Sequence, residues 1–205
     1  MSESEGTDCP VGYYQDLMAE RRRVLDVDLA NIFSQPRSFV CEIGSGHGHF
    51  LAAYAQQHPE QLCVGVDIIG DRVDRANRKR DRGGLAQLHF LHAEASLFLQ
   101  QLPSSAKIHR VFILFPDPWP KKRHHKHRIL QSRFLTLLHS RCTAGAELYF
   151  RTDYRPYEDD ARLQLERHPL WEVLPLPWPF EHKTVFQERA DSFGSVTARV
   201  RVLAP

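Results

Sequence analysis

The sequence predicts an α/β fold: a mostly parallel, doubly wound sheet that closes on an antiparallel C-terminal strand. Three observations carry this. Short apolar runs rich in β-branched residues alternate with stretches whose apolar residues recur at three- and four-residue steps, the pattern of βαβ units. The central runs are apolar throughout, as strands covered on both faces require. Only the last, "SVTARVRVL", alternates cleanly, which suits an antiparallel strand with one wet side.

Taken in order, residues 1–36 form an N-terminal helical or flexible segment, in which "AERRRVLDVDLANIF" has amphipathic spacing. Strands are expected at "SFVCEIG" (38–44), "LCVGVDII" (62–69), "AQLHFLH" (86–92), "VFILF" (111–115) and "AELYFRT" (146–152). "HFLAAYAQQH" and "RILQSRFLTLLHSRC" read as helices between them. A polar helical stretch near 156–167 follows, then "WEVLPLPWPF" as a Pro-rich connection to the final strand.

At 205 residues the chain suits one domain over 1–205. Hydrophobic residues at 42% and charged residues at 25% exclude disordered and fibrous classes. A net charge of +2 is modest, so any nucleic-acid binding must rest on where the charge sits. Cys9, Cys41, Cys63 and Cys142 form no C-x-x-C pair and read as structural thiols. "MSESEGTDCP" has no apolar signal region, and no run approaches the ~18 apolar residues of a membrane span. A cytoplasmic protein that does not enter the membrane is expected.

"EIGSGHGHF" follows the first strand and opens a helix. Gly44, Gly46 and Gly48 allow a tight turn and close backbone approach to a ligand. Asp67 ends the second strand, where a carboxylate can accept both hydroxyls of a ribose. The spacing is G-x-G-x-G rather than the dinucleotide G-x-G-x-x-G, and Glu42 stands two residues before the first glycine. E-x-G-x-G-x-G looks like an S-adenosylmethionine turn: an ammonium and a sulfonium favour nearby acids, whereas a pyrophosphate is repelled by them. Glu94, beyond the third strand, is placed to accept a hydrogen bond from an adenine amino group. The plainer reading makes these acids helix caps.

"FPDPWPKKRHHKHR" follows the fourth strand, so Asp117 faces the same sheet edge. Pro116 and Pro118 leave Asp117 little conformational freedom to lose. Together "EIGSGHGHF", "GVDI", "FPDPWPKKRHHKHR", "RTD" and "TVFQERADSFG" resemble, in order and over roughly 38–195, the tRNA (guanine-N7-)-methyltransferase family. The proline-basic motif is the most specific of these.

The resemblance implies a Rossmann-like class I methyltransferase that moves a methyl group from S-adenosyl-L-methionine to N7 of the variable-loop guanine in tRNA. Carried over by motif, Glu42, Gly44, Gly46, Asp67 and Glu94 line the cofactor site, and Asp117 is the catalytic carboxylate. Lys121, Asp153, Thr184 and Gln187 contact the substrate. The chain departs from the family in having Glu94 for Asp and Gln187 for Glu, and in lacking a basic R-x-G-R stretch before the first helix. RNA phosphates are assigned to Lys121, Lys122, Arg123, Lys126 and Arg128, with "RVDRANRKRDR" (72–82) as a second run whose commoner fate is a solvated helix face. No metal is implied, since "HHKH" has no Cys or acid at ligand spacing. The protein works as a monomer or homodimer. The alternatives are an amino methyltransferase on another nucleic-acid or protein substrate, and a catalytically weak RNA-binding paralogue.

Overall fold

The computed structural model describes residues 11–182 and 192–202. In chain order its elements are α1 (Val11–Ile32), β1 (Arg37–Ile43), α2 (His49–Gln57), β2 (Cys63–Asp67), α3 (Gly70–Arg82), β3 (Leu88–His92), α4 (Ala95–Gln101) and β4 (Ala106–Leu114). A short 3-10 helix (Lys122–His127) precedes α5 (Ser132–Arg141), β5 (Cys142–Thr152), α6 (Arg155–Arg167), β6 (Trp171–Val173) and β7 (Gly194–Val200).

The seven strands form one sheet in the order β3-β2-β1-β4-β5-β7-β6. β1 to β5 run parallel, and β7 lies antiparallel between β5 and β6. The chain therefore winds outward from β1 to β3 and then returns to the other side of β1 with β4. That reversal is a topological switch point, and loops after β1 and β4 open a crevice at the carboxyl ends of the strands, where open α/β sheets bind ligands.

Both faces of the sheet are covered. On one, Cys41, Ile43, Val66, Val111 and Ile113 pack against Leu25 and Leu29 of α1, Phe98 of α4, Leu135 of α5 and Leu165 of α6. On the other, Val40, Phe90, Phe112 and Tyr149 meet Phe50, Leu51 and Tyr54 of α2 and Val73 and Ala76 of α3. Each fully buried side chain of this kind contributes about 1.5–3 kcal/mol, which fixes strand register and so the position of the loops that leave the sheet. Burial pushes the thiols of Cys41, Cys63 and Cys142 upward, to about 12 for the latter two, which leaves them unreactive at neutral pH. No helix among the described residues is long and apolar enough to cross a membrane.

Three strands depart most from the sequence reading. β4 starts at Ala106 rather than Val111, because fully buried Ala106 and Ile108 alternate with partly exposed Lys107 and His109 along β1. β5 likewise begins at Cys142. "WEV", read as part of a connection, forms strand β6. Its Trp171 is fully buried and donates its indole N–H to the Leu135 carbonyl at 3.1 Å, and the prolines that argued for a loop begin only at Pro175.

Candidate active site

Gly44, Gly46 and Gly48 all adopt left-handed φ, at 76°, 53° and 68°. The N–H groups of Gly44 and Ser45 both donate to the Val66 carbonyl, at 2.9 and 3.0 Å, which ties the turn to β2. Asp67 then takes the Gly46 N–H on one carboxylate oxygen at 2.8 Å and the Ile69 N–H on the other at 2.9 Å. The glycines divide the work. A Cβ on Gly48 would lie 2.5 Å from the Phe90 ring and 2.8 Å from the Ala76 Cβ, so this glycine lets α2 pack against α3. At Gly44 and Gly46 a Cβ would meet nothing within 4 Å: these two leave the open side of the turn to a ligand.

Glu42 lies one residue before the end of β1, opposite Gly65 and Phe112 on its neighbouring strands. It is only 3% exposed, and its Oε2 has no hydrogen-bond partner. Burial pushes its carboxyl well above the usual carboxylate range; the Leu51 N–H works against this, nearby Asp67 adds to it, and Lys79 offsets a little. A buried acceptor left unpaired beside an open glycine turn suits a ligand that brings a donor or a positive charge. Glu94, by contrast, caps α4: its two oxygens accept the N–H groups of Ser96 and Leu97, at 2.9 and 3.0 Å.

Across the crevice, Asp117 is exposed in the loop after β4. Two bulky residues of this loop, Phe115 and Trp119, hold positive φ of 49° and 45°. Such conformations cost of order 1–3 kcal/mol each and persist only where the surroundings impose them. The surroundings are visible. The Phe115 N–H donates to the Arg151 carbonyl at 2.8 Å. The Arg128 Nε donates to the Pro118 carbonyl at 3.0 Å, one residue beyond Asp117, while its Nη1 pairs with Asp160 at 3.0 Å and its guanidinium lies 4.7 Å from the centre of the Tyr157 ring. The Trp119 ring packs against His127 and His124, with centroids 5.0 and 5.9 Å away.

The basic run is consequently not uniform. Lys121, Lys122, Arg123 and Lys126 are exposed, as a phosphate-facing surface requires. Arg128 is not: it is 2% exposed and spent on Pro118, Asp160 and Tyr157, so its assignment to RNA phosphates is withdrawn. Asp153 is exposed just after β5 and borders a hollow of about 180 Å³ with Arg155, Glu158, Ser192, Phe193 and Gly194. Thr184 and Gln187 lie outside the described residues.

Comparison with known proteins follows the same lines. The Methyltransf_4 family, described as "Putative methyltransferase", matches residues 36–191. The chain belongs to this family. Among its relatives are tRNA (guanine-N(7)-)-methyltransferases of Thermus thermophilus, 34% identical over 76% of this chain and 50% of the relative, and of Nitrosomonas eutropha, 38% identical over 64% and 58%. One from a Synechococcus strain is 40% identical over 62% of this chain and 54% of its own length. The chain thus spans between half and three-fifths of the length of these curated relatives. The fold is shared with an aminoglycoside resistance methyltransferase, NpmB1 (TM-score 0.60, 18% identity, 86% of this chain and 93% of that one). It is shared too with a magnesium protoporphyrin IX methyltransferase from Synechocystis (TM-score 0.56, 17% identity, 97% and 87%).

As a member of this methyltransferase family the chain shows what its sequence concealed. Arg151, at the end of β5, anchors the start of the Asp117 loop through its carbonyl. Its side chain pairs with both oxygens of Glu181, lies 3.6 Å from the centre of the Trp178 ring and 4.9 Å from that of Phe193, and donates to the Ser195 hydroxyl. Arg128 anchors the middle of the loop. The one local sign of its burial is the apolar "IL" that follows it; Arg151 opens the "RTD" motif, which does not show what its side chain touches.

Proposed function

We propose that the chain transfers a methyl group from S-adenosyl-L-methionine to N7 of a guanine in the variable loop of tRNA. The observation that carries this reading is the placement of the open glycine turn and the Asp117 loop after adjacent parallel strands, β1 and β4, at the switch point of the sheet. The names of the relatives, tRNA (guanine-N(7)-)-methyltransferases, support tRNA guanine as the substrate.

The residues present fit the cofactor. Glu42 offers a buried, unpaired acceptor to a cationic group, and Gly44 and Gly46 leave backbone open to approach. Asp67, already holding the turn, stands where ribose hydroxyls are taken in such sheets. Glu94 meets the adenine while capping α4. When bound, S-adenosyl-L-methionine supplies an electrophilic methyl group.

Guanine N7 carries a free lone pair, so no side chain has to remove a proton before it reacts. The base gains positive charge as its new bond forms. Asp117, preorganised by its two flanking prolines and by Arg128 and Arg151, puts a carboxylate where that charge develops, which stabilises the transition state more than the ground state. Lys121, with Asp153, Thr184 and Gln187, holds the substrate in register, and exposed Lys122, Arg123 and Lys126 take its phosphates.

The test is nucleoside mass spectrometry of an unmodified tRNA transcript before and after incubation with the protein and S-adenosyl-L-methionine. One new 7-methylguanosine, in the variable loop, is expected. Methylation at another nucleoside, or none, overturns the reading.

A further inference from the structure

On the other side of the glycine turn from the Asp117 loop, α3 carries Arg75, Arg78, Lys79 and Arg82, spaced i, i+3, i+4 and i+7, so one helix face is cationic along two turns. With His47 of the glycine turn and His49, the first residue of α2, these side chains line a hollow of about 380 Å³ with no acid in its wall. The Lys79 ammonium is tethered across the gap to the His47 carbonyl at 2.9 Å, which joins the hollow to the cofactor turn itself. Partial burial, and Arg82 beside it, lower the pKa of Lys79, and nearby Glu42 offsets part of this.

An ordinary solvated helix does not account for this face. Cations in the last turn favour the helix dipole, which covers Lys79 and Arg82. Arg75 and Arg78 lie earlier, where like charges three and four residues apart oppose one another and weaken the helix. Acids are at hand in Asp71 and Asp74, one turn before Arg75 and Arg78, but neither forms an ion pair with them among the described residues. Exposed Arg155 of α6, by contrast, is paired with Glu158 and Asp159, three and four residues on.

The geometry points to this hollow as a second anchoring site for the phosphodiester backbone of the RNA substrate, separate from the basic run that follows Asp117. In the sheet order the hollow lies on the β2 side of β1 and the Asp117 loop on the β4 side. Two cationic surfaces therefore flank the cofactor turn, and an RNA held at both lies across the reaction centre and cannot pivot about a single anchor. The identity of the RNA as tRNA rests on the function proposed above; the preference for phosphodiester rests on the hollow alone.

The test is Arg75→Ala with Arg78→Ala, both exposed and outside the cofactor turn, in the full chain. Binding is measured against salt for an unmodified tRNA transcript and for a duplex RNA of unrelated sequence, with inorganic phosphate as a third probe. The variant is expected to bind both RNAs more weakly, with the log–log salt slope shallower by about 0.9 for each duplex phosphate that no longer meets a cation. Cofactor affinity is expected to stay at the parental value, and thermal stability not to fall below it, since the substitutions remove like-charge repulsion on α3. An unaltered salt slope overturns the assignment, as does loss of cofactor affinity, which would make the hollow part of the cofactor cradle. Phosphate binding abolished by the substitutions while RNA binding is untouched also overturns it, in favour of a small-anion site. If the parent methylates tRNA and the slope does not change, the hollow fails and the function stands; if the slope changes on both RNAs but no methyl is transferred, the function fails and the hollow stands.

Discussion

The glycine turn after β1 and the proline loop after β4 face the same crevice, yet they are held in place by different means. The turn is built from its own strand and the next: Val66 and Asp67 of β2 receive the N–H groups of Gly44, Ser45 and Gly46. The loop has such backing only at its start, where the Phe115 N–H donates to the Arg151 carbonyl of the adjacent strand β5. Its two strained residues are stabilised by side chains and carbonyls from β5, from the residues before α5 and from α6, through Arg151, Arg128 and Asp160. The turn is thus held by the strand beside it, whereas the backbone on either side of Asp117 is also held by residues distant in sequence.

The largest effect expected from this difference is on stability. Asp160→Ala leaves the Arg128 guanidinium buried without its charge partner, which costs about 3–5 kcal/mol. Chemical denaturation measures it. A loss below about 1 kcal/mol would mean that the loop does not depend on this pair. Next comes the turn: Asp67→Asn keeps one carbonyl acceptor but converts the other into a donor facing an N–H, and a hydrogen bond to a charged group contributes about 1.5–3 kcal/mol. Calorimetry should then show weaker cofactor binding with the loop chemistry intact at saturation.

Glu42 is read as a pH slope. A carboxyl held above its ordinary value of 4.5 takes up a proton on folding, so it lowers the stability of the ligand-free chain as pH rises from about that value through its raised folded pKa. Glu42→Gln is expected to remove this decline, raise ligand-free stability at neutral pH and weaken binding of a cationic ligand. An unchanged pH profile contradicts the burial argument. The smallest effect is at Glu94: Glu94→Ala removes the α4 cap at a cost of about 1 kcal/mol. A loss of cofactor affinity beyond that shows it also meets the adenine, and none shows a cap alone.

The same contrast explains what could be read before the structure. The turn and its acids were legible because glycine spacing, strand ends and the residues that satisfy them lie within about one βαβ unit. The sheet was legible where strands are apolar throughout, and was lost at Ala106–Arg110, where alternation in a covered strand looks polar, and at β6, three residues held by one buried tryptophan. In the loop, spacing misassigned Arg128, because an arginine in a basic run looks the same in sequence whether it faces water or Tyr157. Arg151 and Asp160 sit 34 and 43 residues beyond Asp117, too far for any local pattern to connect them. Thr184 and Gln187 lie outside the described residues, so their placement adds nothing to the comparison.

The division of labour between turn and loop is tested most directly by Asp117→Asn, which keeps the side-chain shape and removes its charge. Cofactor and tRNA affinities are measured first, then single-turnover methyl transfer with both saturating, so that the chemical step is separated from product release. Both affinities are expected to match the parent while the rate falls by roughly 10²–10³-fold, the usual effect of deleting one preorganised electrostatic stabiliser. A parental rate would contradict the assignment and leave Asp117 a turn residue with no part in the chemistry.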